Sequence, residues 1–216
     1  MKIFALPAEQ TKPAIFFDMD QTLYTNDEYS RTQTDLPVAR LAKLRGKKFD
    51  QMYDEVKEYQ KKWACDHNGK SISLGNTLLA FGISTEENIR WRKELYRPED
   101  YLDVDKKLRS ALEALASRFI LAVITNNPVS VAVRTLSTLG VHDLLQKISG
   151  LDTCCLSKPN KEILLKTAEL CGVSLDQCIS VGDRYDIDLA LPLELGMGGI
   201  LVDGVEDVYK LPEVLL

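Results

Sequence analysis

Asp18 and Asp20 stand two residues apart, directly after the apolar run Ala14-Ile-Phe-Phe17. Two carboxylates at that spacing, on a backbone that turns between them, can serve as a nucleophile and a general acid. A carboxylate is a competent nucleophile toward phosphorus, forming an acyl phosphate that water later cleaves. Alone, such a pair reads more readily as a solvated turn, but three further positions change the reading. Thr125, after the run Phe119-Ile-Leu-Ala-Val-Ile124, offers a hydroxyl and, with Asn126, backbone donors for an anion, and Lys158 before Pro159 offers a cation. Asp183 follows Gly182 and the run Cys178-Ile-Ser-Val181, with Asp186 and Asp188 close behind. Carboxylates gathered there suit an oxygen-preferring Mg2+, which offsets the repulsion between an incoming phosphate and the nucleophile. Thr125 or Lys158 taken singly reads as a helix cap or a surface charge; the four positions in order read as a site.

The runs that carry these residues are short, apolar and non-alternating, the pattern of strands covered on both faces of a parallel sheet. Ile200-Leu-Val202 and Lys147-Ile-Ser149 add two weaker strands. Helical patterns lie between them. Val104, Leu108, Ala111, Leu112 and Leu115 share one face. Asn127-Pro128 supplies a cap and a first-turn proline before Val129, Val133 and Leu136, with Gly140 as the stop. Ile163, Lys166, Leu170 and Cys171 continue the pattern to Gly172. Strand-helix alternation of this kind predicts an α/β domain with a parallel sheet, and ligands of such sheets bind at the C-terminal strand ends.

Between Glu28 and Leu102 the composition shifts to Lys, Arg, Glu, Gln and Tyr with helix periods and no convincing strand, which predicts a helical insertion. Asp35-Leu-Pro37 is expected to open a helix carrying Val38, Leu41 and Leu44 and closed by Gly46; Met52, Val56, Tyr59 and Trp63 form a second stripe. Ser84 with Glu87 makes a capping box for a helix ending before Pro98. The expected organisation is a core of residues 1–27 and 103–216 and a helical cap of residues 28–102.

The 216 residues carry 27 Lys+Arg and 32 Asp+Glu, a formal charge of −5, and there is no basic run. That balance argues against nucleic acid or an anionic membrane surface as a partner and for a small-molecule ligand. Five cysteines without a C-x-x-C pair argue against a disulfide framework or a zinc site and fit a reducing compartment; Cys154 and Cys155 are expected in a strand. The stretch after Lys2, broken by Pro7, is too brief for a signal-peptide core, and no run approaches 18 apolar residues, so a cytoplasmic protein is expected. His67 and His142 are isolated, and His142 is expected to begin a short helix.

Four stretches together resemble the haloacid dehalogenase-like superfamily of aspartyl-phosphate hydrolases: Ile15-Phe-Phe-Asp18-Met-Asp20-Gln-Thr22, Ile124-Thr125-Asn126, Lys158-Pro159 and Val181-Gly182-Asp183-Arg-Tyr-Asp-Ile-Asp188. The resemblance implies a Rossmann-like core with an inserted helical cap that covers the site, and a phosphatase that uses Mg2+. It implies Asp18 as nucleophile and metal ligand, Asp20 as acid/base with its backbone carbonyl on the metal, and Thr125, Asn126 and Lys158 around the phosphoryl group. Asp183 is implied as a direct metal ligand and Asp188 as a water-mediated one. Ile187 stands where many members have Asn, which leaves Asp186 and Asp188 both open for the last place. Thr22-Leu23-Tyr24, Leu74-Gly75 and Tyr96-Arg-Pro-Glu-Asp-Tyr101 resemble the pyrimidine 5'-nucleotidase-like branch.

The implied substrate is a small soluble phosphate ester, with nucleoside 5'-monophosphates slightly ahead if Tyr53, Tyr59 and Trp63 face the cleft and stack a base. A 2-haloacid dehalogenase shares the nucleophile but has no leaving group that needs a proton and lacks the second carboxylate, so Asp20 argues for phosphoryl transfer. A sugar-phosphate mutase keeps both carboxylates and a helical cap and stays open, as does the oligomeric state.

Overall fold

The computed structural model describes residues 1–6 and 13–216; Pro7 lies outside the described residues. Six strands, β1 (Lys2–Ala5), β2 (Ala14–Phe17), β3 (Ile120–Ile124), β4 (Lys147–Ser149), β5 (Cys178–Gly182) and β6 (Gly198–Leu201), form one sheet in the order β1-β6-β5-β2-β3-β4. All neighbours are parallel except β1 and β6. The strand β1 was not expected. Its four residues are all exposed, and it pairs with β6 at the sheet edge; the short apolar stretch Ile3-Phe-Ala5 reads in sequence only as too brief for a signal-peptide core.

The central strand β2 sets the plan of the site. Its four residues are at most 1% exposed. Ile15 and Phe17 join the cluster containing Val123, Val181 and Leu136 on one face, and Ala14 and Phe16 join Ile124, Cys178 and Ile163 on the other. That is the period of two expected of a strand buried on both sides, and burying each phenylalanine contributes about 1.5–3 kcal/mol. Phe17 aligns with Val123 of β3 and with Val181 of β5, so the residues that follow these three strands emerge side by side. From β2 the chain proceeds to β3 on one side, and β5 lies on the other, the kind of divergence where α/β sheets hold ligands.

Between Phe17 and Tyr96 the chain forms four α-helices, α1 (Asp27–Leu44), α2 (Phe49–Asp66), α3 (Leu74–Ala80) and α4 (Thr85–Leu95). They share an apolar cluster that includes Val38, Leu41, Met52, Val56, Leu78 and Trp91. Helix α1 starts eight residues before the expected Asp35, capped by the Asn26 side chain, which accepts from Tyr29 N at 2.8 Å. It runs through Pro37 because the missing N–H is replaced. The Gln33 carbonyl, one turn earlier, accepts instead from the Tyr96 hydroxyl at 2.6 Å, so no buried acceptor is stranded. Burial pushes Tyr96 up to about 12, which keeps that hydroxyl a donor. Leu44, expected on the apolar face, is exposed.

Ser84 caps α4 by accepting from Glu87 N at 3.2 Å, but the Glu87 carboxylate turns to Trp91 and Arg90 rather than completing the box. In α2 only Met52 and Val56 of the stripe are buried. Tyr59 lies edge-on to Phe81 and Trp63 stacks on His67, with ring centroids 3.7 Å apart.

The remaining helices are α5 (Lys106–Ala116), α6 (Val129–Thr138), α7 (Leu151–Cys154), α8 (Lys161–Cys171), α9 (Ala190–Glu194), α10 (Val205–Val208) and α11 (Leu211–Leu215). Helix α5 buries Leu108, Ala111, Leu112 and Leu115 as expected; Val104 precedes it and is exposed. Helix α6 buries Val131, Ala132, Thr135 and Leu136, a face rotated from the predicted one, and Pro128 rather than Asn127 occupies its N-cap. In α8 Leu164, Thr167 and Ala168 are buried, whereas Leu170 is half exposed. Cys154 ends α7 and Cys155 follows at φ 55°, so neither is in a strand, and His142 opens a turn, not a helix. All five cysteines are free. Among the described residues, no helix is long and apolar enough to cross a membrane.

Candidate active site

Asp18 is still tied to the sheet, its N–H donating to Val181 O at 2.8 Å, while its side chain is 4% exposed. The Lys158 ammonium reaches it from the segment before α8. Lys158 Nζ donates to Asp18 Oδ1 at 2.5 Å, to Asp188 Oδ1 at 2.7 Å and to Ile124 O at 3.0 Å, which uses all three of its protons. The Lys158 backbone N–H donates to Asn126 Oδ1 at 2.6 Å and anchors that segment to the end of β3. Burial pushes the Asp18 carboxyl up to about 8 against the pull of Lys158. Burial also pulls on Lys158 in the direction of neutrality, but the carboxylates of Asp18 and Asp188 outweigh it and raise its pKa, so the ammonium is retained.

After β5 the chain makes a single π-helical turn, Tyr185–Leu189. It folds Asp188 back over the strand end, where Asp188 Oδ2 accepts from Arg184 N at 3.1 Å. This close return needs Gly182, because a Cβ there would lie 2.4 Å from Asp188 Cβ. Asp186 faces the other way and accepts from Ser71 N at 3.1 Å. Of the two carboxylates left open, the one brought to Asp18 is therefore Asp188.

Asp18, Asp183 and Asp188 each offer an oxygen, all within 4.8 Å of one another. Asp18 Oδ2 and Asp183 Oδ1 are buried without a hydrogen-bond partner. Burial and the neighbouring Asp188 raise the Asp183 pKa, with Arg184 opposing. Converging carboxylates with orphaned oxygens fit a hard divalent cation, which binds oxygen ligands and relieves like-charge repulsion.

Asp20 is not part of that cluster. Its side chain sits in a cage of donors: the Tyr24 hydroxyl, Gln33 Nε2 at 2.9 Å, Asn127 Nδ2 at 2.9 Å and Thr125 Oγ1 at 3.4 Å. Asn127 was read as a helix cap. Its amide instead links Asp20 to Arg92, whose Nη1 donates to Asn127 Oδ1 at 2.8 Å. Thr125 is fully buried, and its backbone N–H donates to Ser149 O at 3.0 Å, so that donor belongs to the sheet and only the hydroxyl faces Asp20.

A pocket of about 170 Å³ opens beside these groups. Asp20, Asn126, Asp183 and Arg184 line it from the strand ends, Ser30, Gln33 and Thr34 from one face of α1, and Arg92 from α4. Tyr53, Tyr59 and Trp63 are absent from its walls. Trp63 and His67 line a separate pocket with Asp186.

The haloacid dehalogenase-like hydrolase family matches residues 12–193, a span that holds every one of these site residues. The chain belongs to that family. Among curated relatives of the hydrolase, a phosphoglycolate phosphatase of Psychrobacter arcticus is 30% identical over 90 residues, 42% of this chain and 38% of that protein. A glyceraldehyde 3-phosphate phosphatase of Methanocaldococcus jannaschii is 26% identical over 91% of this chain and 86% of that protein. The structure of a haloacid dehalogenase-type phosphatase from Thermococcus onnurineus superposes with a TM-score of 0.62 at 19% identity, covering 94% of this chain and 97% of that one. A 2-haloacid dehalogenase from Pseudomonas syringae superposes at 0.56 and 18% identity, covering 95% and 98%. The hydrolase is thus an enzyme whose curated relatives are phosphatases, on a fold that dehalogenases share.

Of the predicted residues, the hydrolase gathers Asp18, Lys158, Asp183 and Asp188 in one cluster and places Asp20, Thr125 and Asn126 beside it. The sequence reading missed Gln33, Tyr24 as a partner of Asp20, Asn127 in its actual role, Arg92 and Arg184. Arg184, Tyr24 and Asn127 stand in or directly beside the quoted motifs; Gln33 and Arg92 lie on the inserted helices, far from any local signal.

Proposed function

We propose that the hydrolase is a Mg2+-dependent phosphatase of small phosphomonoesters that works through an aspartyl-phosphate. The observation that carries this is Asp18: a buried carboxylate with one unsatisfied oxygen, an ammonium at 2.5 Å and a second carboxylate two residues on. Asp18, Asp183 and Asp188, with the backbone carbonyl of Asp20, would hold the cation. When bound, it supplies positive charge that offsets repulsion between the carboxylates and the phosphoryl oxygens. In the first step an Asp18 oxygen bonds to phosphorus, the ester P–O bond breaks, and Asp20 gives its proton to the departing oxygen. In the second, Asp20 takes a proton from water, whose oxygen bonds to phosphorus as the P–O bond to Asp18 breaks, releasing inorganic phosphate. Lys158, the Thr125 hydroxyl and Asn126 position the phosphoryl group.

Residues 28–102 act in this reading as a cap that excludes water from the pocket. Asp20 favours the phosphatase over a dehalogenase, which needs no leaving-group acid; a sugar-phosphate mutase remains the second reading on the same residues. The pocket's polar lining supports short phosphate esters of the size its relatives are named for, phosphoglycolate and glyceraldehyde 3-phosphate, ahead of nucleoside monophosphates, because none of the described residues lining it carries an aromatic ring for stacking a base. The test is phosphate release from a panel of metabolite esters with Mg2+ added or chelated. Release that survives thorough chelation refutes the metal, and isomerisation without release favours the mutase.

A further inference from the structure

Arg92 is 6% exposed, yet among the described residues no carboxylate lies within 4.0 Å of it. Its partners are neutral: Asn88 Oδ1 accepts from Nε at 3.0 Å, Asn127 Oδ1 accepts from Nη1 at 2.8 Å, and the Tyr96 ring centroid is 5.5 Å from Cζ. Nη2 takes no hydrogen bond among the described residues. A buried charge is ordinarily paired, because desolvation without a counter-charge is costly. An arginine in this condition on a pocket wall is a site for an anion that arrives with the ligand.

The place of Arg92 says which part of the ligand that is. One asparagine separates it from Asp20, the acid that serves the leaving group, whereas the phosphoryl position lies at Asp18 and Lys158. Resting on the phosphatase reading, we propose that Arg92 is the specificity residue for a carboxylate on the leaving group, so that the preferred substrates are phosphate esters of short hydroxy acids. A single guanidinium matches one carboxylate; a second, doubly charged phosphate would be left undercompensated. Ser30 and Thr34 on α1 supply hydroxyls for the rest of a short, polar leaving group.

The experiment compares kcat/KM for 2-phosphoglycolate, 2-hydroxyethyl phosphate, a sugar bisphosphate and p-nitrophenyl phosphate, in the full chain with Mg2+. The expected result is a preference of about 100-fold for phosphoglycolate over its neutral counterpart, the scale of a buried polar group left unpaired by the wrong ligand. In Arg92→Gln that ratio should collapse to below about fivefold, and Arg92→Lys should recover part of it. Should Arg92→Gln fail to fold, inhibition of wild-type p-nitrophenyl phosphate turnover decides the matter: glycolate should compete and ethylene glycol should not. Equal kcat/KM for the acid and neutral esters, or a preference for the bisphosphate, overturns the carboxylate assignment and leaves the phosphatase reading standing. Hydrolysis of none of the four esters overturns both.

Discussion

Without a divalent cation the hydrolase should become less stable as pH rises from 5 to 8, the reverse of a protein held together by ordinary ion pairs. Asp18 has its pKa raised from 3.8 to about 8 by burial. Between those values the folded state keeps a proton that the unfolded chain has lost. The stabilisation is therefore complete below about pH 4 and disappears as pH climbs through the folded value. One proton corresponds to a slope of about 1.4 kcal/mol per pH unit, and so to a ceiling of about 4 kcal/mol across this window. Asp183, also raised, acts in the same direction, whereas the lowered carboxyls of Asp143 and Asp207 lose their contribution only on acidification below the window. The proposed Mg2+ would bind the ionised form, so its stabilisation, about 2.7 kcal/mol at one hundred times its Kd, should be larger at pH 8 than at pH 5. Urea unfolding in chelator at several pH values, repeated with Mg2+, measures both effects. Asp18→Asn should remove most of the slope, and in chelator at pH 8 it should exceed the wild type in stability. A chelated wild type whose stability is flat or rising over this window, or an Asp18→Asn variant with an unchanged slope, refutes the reasoning.

Asp20→Asn should cost far more on alkyl phosphates than on aryl phosphates, since only a basic leaving group needs the proton; equal losses would remove Asp20 from the acid's role. Tyr96→Phe should destabilise by about 1–3 kcal/mol in denaturant unfolding, because the Gln33 carbonyl beside Pro37 loses its donor while staying buried. Asp188→Asn should weaken Mg2+ activation at least tenfold and Asp186→Asn less than threefold, roughly the scale of losing a cation's supporting carboxylate and of losing a surface contact respectively. Equal effects would contradict the separation of the two side chains.

What the sequence disclosed was whatever lies within a few residues of a strand end. The runs before Asp18, Thr125 and Asp183 are buried on both faces, and a non-alternating apolar tetramer or hexamer is visible without knowledge of its neighbours. Side-chain direction was less legible. Asn127-Pro128 has the chemistry of a helix start, and only the alignment of β3 beside β2 shows that the Asn127 amide is spent on Asp20 instead. Pro37 likewise signals a helix opening, because local rules cannot know that a tyrosine 59 positions later supplies the donor for the Gln33 carbonyl. Strand β1 escaped because its short apolar run Ile3-Phe-Ala5, ending before Pro7, is too brief to separate an exposed edge strand from an irregular terminus.

The same long-range bonds tie Asp20, the proposed acid, to the helices that line the pocket. Gln33 receives a hydroxyl on its carbonyl from Tyr96, gives its amide to Asp20 and to the Tyr24 hydroxyl, and accepts from Asn127 through Oε1 at 3.2 Å. Arg92 holds the opposite side of Asn127. Asp20 is consequently oriented by α1 and α4 as much as by its own strand. The proposed nucleophile and acid stand two residues apart but are anchored differently: Asp18 by β5 and Lys158, Asp20 by Tyr24, Thr125 and Asn127 together with Gln33 of α1. A shift of α1 or α4 relative to the sheet would leave Asp18 in place while moving Gln33 directly and Asn127 through its bond from Arg92. Substitutions in those helices should therefore act on leaving-group protonation before they act on formation of the bond to phosphorus.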